Sequence, residues 1–131
     1  MIDHLSTYAT DYSATKDFYE AAFKPLGYGL ETEFVATWSE DFPTRRICAF
    51  GPKGKSVFWV IETKEKCTPR HTAFRAKDRA AVEDFYQAGL KHGGKDNGAP
   101  GLRPVYHPNY YGAFLLDPDG NNVEAVCHAA V

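Results

Sequence analysis

The chain has 131 residues, about the size of one compact domain, and it is long enough to bury a single hydrophobic core. Its composition, 44% hydrophobic and 24% charged, is that of an ordinary soluble globular protein, and a net charge of −2 gives no electrostatic reason to bind nucleic acid or an anionic membrane. We therefore expect the partner to be a small molecule or another protein.

The first half of the chain predicts a strand, a helix and three more strands. The opening segment IDHLSTYA alternates in the manner of a strand and places His4 on one face. A helix follows, capped by Asp11 or Ser13 and ended by residues 25–27. The three short strands predicted next are LETEFVATW, RRICAF and SVFWVIE.

The second half predicts the same order of elements. The segment RHTAFRAK reads as a strand with His71 on the matching face, and the helix after it begins at Asp78 and stops at the glycine pair 93–94. We predict a short strand near residues 103–106, followed by the strands YYGAFLLD and NNVEAVCHA. The PDGNN segment between the last two predicts a tight turn in which Gly120 has a positive φ.

The two halves are copies of one another. The segment DFYEAAFKPLGYG recurs as DFYQAGLKHGG, and His4 and His71 are separated by the same interval as these two segments. A second pair of similar segments is GPKGKSVFWV and DPDGNNVEAV. The interval between them is one residue shorter than the interval between His4 and His71. We predict one domain over residues 1–131, made of a first module at 1–66 and a second at 67–131, neither of which is expected to fold alone.

Three potential metal ligands stand at related positions in this repeat. The first strand of each module carries a histidine, His4 or His71, and the last strand of the chain carries Glu124 in an otherwise apolar segment. Two neutral imidazoles and one carboxylate on a common concave face would form a facial triad, which leaves coordination positions open for substrate or oxygen. The alternative for each residue alone is a hydrogen-bonded or solvated side chain.

The repeat, its paired histidines and the segment DPDGNNVEAV together resemble the vicinal oxygen chelate superfamily, which includes glyoxalase I, extradiol dioxygenases and bleomycin-binding proteins. The resemblance spans the whole chain. It implies an α+β fold in which two tandem βαβββ modules form a curved mixed sheet around a concave metal and substrate cleft. It also implies a divalent ion, Zn, Ni, Mn or Fe(II), bound by His4, His71 and Glu124.

The chain departs from glyoxalase I at one position. That enzyme usually has a fourth ligand on the last strand of the first module. The alignment of GPKGKSVFWV with DPDGNNVEAV places Phe58 there, opposite Glu124, and an aromatic ring cannot bind a metal ion in that way. We predict that Phe58 faces the cleft as part of an apolar wall that contacts substrate. Strand alternation then turns Trp59 toward the helix.

The segment KDNGAPGLRPVYHPNYYG is long for a connector and rich in aromatic residues, which indicates an ordered functional loop. Arg103 is a candidate for binding a substrate carboxylate or phosphate. Candidates for proton transfer are His107, Tyr110 and Tyr111. The alternative is that the tyrosines pack the sheet edge and Arg103 is solvated. We assign no role to His92, at a helix end, or to His128, near the terminus.

The location expected from the sequence is the cytoplasm. The opening residues lack the basic start and apolar core of a signal peptide, and the longest strongly apolar run, VFWVI, is too short to span a membrane. The cysteines Cys48, Cys67 and Cys127 include no C-x-x-C pair, so we expect reduced thiols and neither a disulfide framework nor a thiolate zinc site.

The function we predict is that of a metal-dependent enzyme acting on a small substrate with two neighbouring oxygen atoms, with lyase, isomerase, transferase and dioxygenase chemistry all open. The alternative is a metal-free module that binds or sequesters a small molecule, as bleomycin-resistance proteins do. A third alternative is an interaction protein that uses its sheet edges. We expect a homodimer, because relatives form the cleft within one chain or across a two-fold axis and sheet edges need covering.

Overall fold

Each half of the chain forms a four-stranded mixed sheet with one helix packed against it, in a computed structural model that describes all 131 residues. The first half contains β1 (Leu5–Ala9), α1 (Tyr12–Phe23), a 3-10 turn (Lys24–Leu26), β2 (Gly29–Val35), β3 (Arg46–Gly51) and β4 (Phe58–Glu62). The second half contains β5 (His71–Arg75), α2 (Arg79–Lys91), β6 (Lys95–Leu102), β7 (Tyr111–Leu116) and β8 (Asn122–Cys127).

The strand order is the same in both sheets, β1-β4-β3-β2 and β5-β8-β7-β6. The first and last strands of each module pair in parallel, and the other pairs are antiparallel. The predicted α+β class and the repeated βαβββ order are therefore confirmed. The eight strands form two separate sheets rather than one continuous sheet, and the module boundary proposed at residue 66 falls in the connection between β4 and β5.

Both helices begin at the aspartates predicted to cap them. The Asp11 carboxylate accepts a hydrogen bond from the N–H of Ala14 at 3.1 Å, and the Asp78 carboxylate accepts one from the N–H of Ala81 at 2.8 Å. Of the two caps considered for α1, Asp11 is thus the one that forms. Neither helix has the length and apolarity that crossing a membrane requires.

The helices and the helix-facing sides of both sheets share one hydrophobic core of 20 buried residues. Phe74 on β5 joins the modules, because its ring lies 4.8 Å from that of Phe23 on α1 and 5.3 Å from that of Phe58 on β4. Gly89 allows α2 to lie close to both β7 and α1, since a Cβ there would lie 2.3 Å from the Leu115 side chain and 3.1 Å from the Phe18 ring. Neither module buries its apolar face without the other.

The DPDGNN segment before β8 also fastens the second module to the first. Gly120 has the predicted positive φ, 86°. Two aspartates of the turn are buried, and both accept hydrogen bonds from the first module. Asp117 accepts from the Tyr19 hydroxyl at 2.6 Å, and Asp119 accepts from the Thr10 hydroxyl at 2.9 Å and backbone N–H at 3.1 Å. The turn is therefore an inter-module contact as well as a strand connection.

We expect Asp119→Ala to lower the free energy of unfolding by about 2 kcal/mol, because the hydroxyl and N–H of Thr10 lose the buried carboxylate that accepts both hydrogen bonds. Urea unfolding followed by circular dichroism measures the change. Asp84→Ala is the matched control, since Asp84 is exposed on α2, and it should shift stability by less than about 0.5 kcal/mol. Equal shifts in the two variants would contradict a fastening role for Asp119.

The second predicted strand of the second module was placed wrongly. The strand is β6 at Lys95–Leu102, not residues 103–106, and its pairing with β7 shifts register on either side of Gly98. Gly98 has a φ of 149°, and its N–H donates to the Asp96 carboxylate at 3.0 Å. These irregularities at a sheet edge explain why a segment rich in Gly and Pro pairs as a strand without an alternating pattern.

Candidate metal centre

The candidate centre lies on the face of the second sheet opposite the helices. Val123 and Ala125 of β8 belong to the core, so Glu124 between them points to the other face. Glu124 pairs with Ala73 of β5 on one side and with Phe114 of β7 on the other. Although it faces away from the core, it is only 2% exposed.

His71 meets Glu124 at the start of β5. The His71 Nε2 atom lies 3.2 Å from Glu124 Oε1, and its Nδ1 lies 3.1 Å from the backbone oxygen of Asn122. A carbonyl oxygen only accepts, so Nδ1 carries the proton and the neutral ring presents an Nε2 lone pair to the carboxylate. Two acceptors facing each other are favourable only with a second proton or a metal cation between them.

Tyr110 holds the other carboxylate oxygen, because its hydroxyl donates a hydrogen bond to Glu124 Oε2. Burial, together with this bond, raises the pKa of Tyr110, so the phenol stays protonated at neutral pH. Gly112 provides the space for this contact. A Cβ at Gly112 would lie 3.2 Å from the Tyr110 ring and 3.3 Å from Glu124 Oε2.

Within a single chain, the His4 side chain does not contact His71 or Glu124. Its Nδ1 is 2.7 Å from the Asp3 carboxylate, and its ring is 6.5 Å from that of Trp59. It borders a cavity of about 250 Å³ whose other wall includes Thr72 and Ala73 of β5. No group of three or more His, Cys, Asp or Glu side chains is close enough together to hold a metal ion. One chain thus brings together two of the three predicted ligands.

Phe58 lies on the helix-facing side of β4, so the prediction that it occupies the position corresponding to Glu124 was wrong, although it also lines the cavity that His4 borders. Its side chain is 2% exposed and packs in the core, with ring centroids 5.0 Å from Tyr19 and 5.4 Å from Phe23. Trp59, which was expected to face the helix, lies on the opposite side with His4 and has its ring 6.2 Å from that of Phe34.

The strand pairing explains this error. Ser6 pairs with Trp59 in the first module, and Ala73, which occupies the same place in the repeat as Ser6, pairs with Glu124 in the second. Trp59 is therefore the structural counterpart of Glu124. The first module has one more residue between its turn glycine, Gly54, and this position, which shifts β4 by one place and reverses its faces.

Two of the other predicted site residues are engaged elsewhere. Tyr111 lies on the helix side, where its hydroxyl donates to Glu83 at 2.9 Å and Arg79 stacks on its ring at 5.0 Å. Arg103 donates to the Ala99 carbonyl at 2.7 Å and lies over the ring of Phe114 at 5.4 Å. Arg103 therefore stays near the Glu124 face, whereas Tyr111 does not reach it.

His107 and His128 form a pair that the sequence did not indicate. His107 Nε2 lies 2.8 Å from His128 Nδ1, and the other nitrogen of His107 accepts from the N–H of Asn109 at 3.1 Å. Both nitrogens of His107 are thus occupied, which leaves Tyr110 as the predicted proton-transfer residue in contact with Glu124. His128 directly follows β8, and that position was the only available signal.

The same face of the first sheet is aromatic. The rings of Phe34 and Trp38 are 5.6 Å apart, and Trp38 is 70% exposed. With Trp59 and His4 they form an apolar surface at the position that corresponds to the polar Glu124 face of the second sheet. Trp38 is the exposed member of this surface, and Phe34 and Trp59 are half-buried.

A sequence model of the glyoxalase/bleomycin resistance protein/dioxygenase superfamily matches residues 1–125. The chain belongs to this superfamily. The resemblance inferred from the repeat is thereby confirmed. No curated protein matches the sequence.

Solved structures of this superfamily share the fold. A glyoxalase/bleomycin resistance protein from Albidiferax ferrireducens T118 is 24% identical, with a TM-score of 0.76 over 98% of this chain and 99% of that one. A family enzyme from Burkholderia phytofirmans PsJN is 20% identical, with a TM-score of 0.67 over 97% and 98%. Lactoylglutathione lyase from Agrobacterium tumefaciens is also 20% identical, with a TM-score of 0.64 over 97% and 92%. At these identities the likeness is one of fold.

Proposed function

We propose that the protein is a metal-dependent enzyme of the superfamily, with His71, Glu124 and His4 as ligands of a divalent ion. The observation that carries the proposal is the contact of His71 Nε2 with Glu124 Oε1 at 3.2 Å, where a lone pair faces a buried carboxylate. Two atoms that bind one metal ion at about 2.1 Å lie about 3 Å apart. The carbonyl of Asn122 fixes the imidazole in the tautomer that metal binding requires.

The ligand set fits Zn, Ni, Mn or Fe(II), and the substrate we propose is a small molecule with two neighbouring oxygens. The chemistry such an ion supplies is Lewis-acid stabilisation of negative charge on a substrate oxygen. Tyr110, protonated at neutral pH, donates its hydroxyl hydrogen to Glu124 and so orients the carboxylate, and it does not act as a base. Arg103, at the edge of the same face, binds an acidic group of the substrate.

Elemental analysis tests this proposal directly. The protein is purified without a metal-affinity tag, stripped, reconstituted separately with Ni, Mn, Zn and Fe(II), and titrated by calorimetry. We expect one ion per chain and a higher melting temperature with the preferred ion, because an ion that binds only the folded state stabilises it. No binding and no change in melting temperature with any of the four ions would reject the metal-dependent enzyme.

The second candidate function is metal-free binding of a planar aromatic compound. The observation that favours it is the aromatic surface of Phe34, Trp38 and Trp59, of which Trp38 is exposed. A planar probe bound to such a module would quench the fluorescence of Trp38 and Trp59. The affinity for the probe should be the same in metal-stripped and metal-reconstituted protein. An affinity that depends on the metal would instead favour the enzyme.

We also propose a homodimer in which a second copy supplies His4 to the His71–Glu124 pair. Two observations support it: His4 turns toward Asp3 and Trp59 instead of Glu124, and β1 and β5 belong to separate sheets. Large exposed apolar side chains, Val35, Trp38, Val105 and Tyr106 among them, also need covering. A cytoplasmic location completes the proposal, consistent with three cysteines that form no disulfide.

Trp59→Glu is expected to tighten binding of a divalent ion by about 10-fold or more, because the new carboxylate occupies the position equivalent to Glu124 and adds a fourth ligand. Small chelating oxyacids should then bind more weakly, since one coordination position is lost. Calorimetry measures both affinities.

The comparison variant is Phe58→Glu. It places a carboxylate in the aromatic core between Tyr19 and Phe23 and should fail to fold. Tighter metal binding in a folded Phe58→Glu variant, with none in Trp59→Glu, would contradict the assigned register.

A further inference from the structure

A pair of histidines holds the loop of residues 103–110, between β6 and β7, to the end of β8. His107 Nε2 and His128 Nδ1 are 2.8 Å apart, and their rings are 28° from parallel. The backbone N–H of Asn109 points at His107 Nδ1 from 3.1 Å, so that nitrogen is an acceptor without a proton. Neutral His107 therefore carries its proton on Nε2 and donates it to His128 Nδ1.

This assignment makes the pair a hydrogen bond and not a chelate. A metal ion between the two rings would need a lone pair on His107 Nε2, and the proton would then have to sit on Nδ1. An N–H at that position would face the N–H of Asn109. The pair therefore acts as a mechanical link between the loop and the strand.

The link bears on the metal centre through Tyr110. The Tyr110 ring packs edge-on against both imidazoles, 5.5 Å from His107 at 72° and 5.4 Å from His128 at 82°. Its hydroxyl donates to Glu124 Oε2, which leaves Oε1 toward His71. The position of the Glu124 carboxylate thus depends on Tyr110, and the position of Tyr110 depends on the histidine pair.

We propose that His128 is a positioning residue of the metal centre: by accepting the hydrogen bond of His107 it fixes Tyr110 where the tyrosine hydroxyl orients Glu124. The inference rests on the proposed function for its effect on metal binding. The positioning of Tyr110 itself is a property of the metal-free protein and can be measured without any ion.

The first experiment compares His128→Asn with His128→Leu in metal-free protein. The Asn side-chain oxygen can replace Nδ1 as the acceptor, whereas Leu cannot accept. Nitrogen-15 NMR of the histidine side chains should show the His107 proton on Nε2 in the parent and in His128→Asn, with the Tyr110 hydroxyl protected from exchange. In His128→Leu the Tyr110 hydroxyl should lose its protection and the His107 Nε2 proton should exchange faster with solvent, whereas the proton stays on Nε2 because the Asn109 N–H still faces Nδ1. Persistence of the protected Tyr110 hydroxyl in His128→Leu, or its loss in His128→Asn, would overturn the proposal.

The second experiment titrates Ni²⁺ into the same variants by calorimetry. His128→Leu should weaken binding about 10-fold, and His128→Asn should stay within about twofold of the parent. In a Tyr110→Phe background the effect of His128→Leu should vanish, because its intermediary is gone. The same loss in both backgrounds would overturn the proposal. A parent that binds no ion would reject the proposed function, while the NMR comparison would still support or overturn the positioning of Tyr110.

Discussion

Glu124→Gln is expected to lower the affinity for a divalent ion by at least about 100-fold while the protein stays folded. The carboxylate is 2% exposed, and the Asn122 carbonyl occupies Nδ1 of His71, so that Nε2 is the nitrogen that faces Glu124. In the variant, the amide nitrogen can donate to His71 Nε2 and the amide oxygen can accept from Tyr110. We therefore expect the metal-free variant to stay folded, with a melting temperature close to that of the metal-free parent, because the amide keeps both hydrogen bonds.

Glu83→Gln is the matched control, because the Glu83 carboxylate also accepts a hydrogen bond from a tyrosine, Tyr111, but lies away from the centre. Its metal affinity should stay within about twofold of the parent. Calorimetry on stripped protein gives the affinities, and scanning calorimetry gives the melting temperatures. Metal occupancy that is equal in the parent and both variants would remove Glu124 from the centre.

The repeat made most of the fold predictable, because both copies carry the same local signals. Asp11 and Asp78 precede helical stripes at related positions, and both form caps. Glu124 was conspicuous because a carboxylate in an apolar strand needs a partner. The structure places His71 Nε2 within 3.2 Å of it. A short-range pattern was sufficient for the caps, and the repeated position of the histidine in the two modules indicated the partner of Glu124.

The wrong assignment of Phe58 and Trp59 has a different origin, because the face on which each side chain lies depends on the register of β4 against its neighbouring strands. The run FWVI has no polar residue to mark its outer face, so nothing local separates Phe58 from Trp59. One extra residue after Gly54 then decides which ring enters the core. The sequence likewise could not reveal that Asp119 binds Thr10, or that His128 binds His107, because these contacts join segments far apart in the chain.

The shared-site homodimer predicts an equally large effect: two variants that each lack one metal ligand should regain metal binding when their chains are mixed. His4→Ala and Glu124→Gln each remove one proposed ligand, and each homodimer should lose metal at both of its sites. If His4 comes from one copy and the His71–Glu124 pair from the other, a dimer with one chain of each kind has one intact site and one doubly defective site. Random pairing from an equal mixture, after unfolding and refolding together, should thus restore roughly a quarter of the parental metal sites.

The control mixture combines His71→Ala with Glu124→Gln, whose missing ligands belong to the same half of each site. Every site in its mixed dimers lacks one of the two ligands, so no metal binding should return. Light scattering on both mixtures should give the mass of a dimer. Recovery of about a quarter in the first mixture and none in the second is the signature of a site built by two chains. A monomeric mass with metal bound in the parent, or no recovery in the first mixture although mixed dimers form, would mean that His4 reaches Glu124 within its own chain, across the cavity bordered by Thr72 and Ala73.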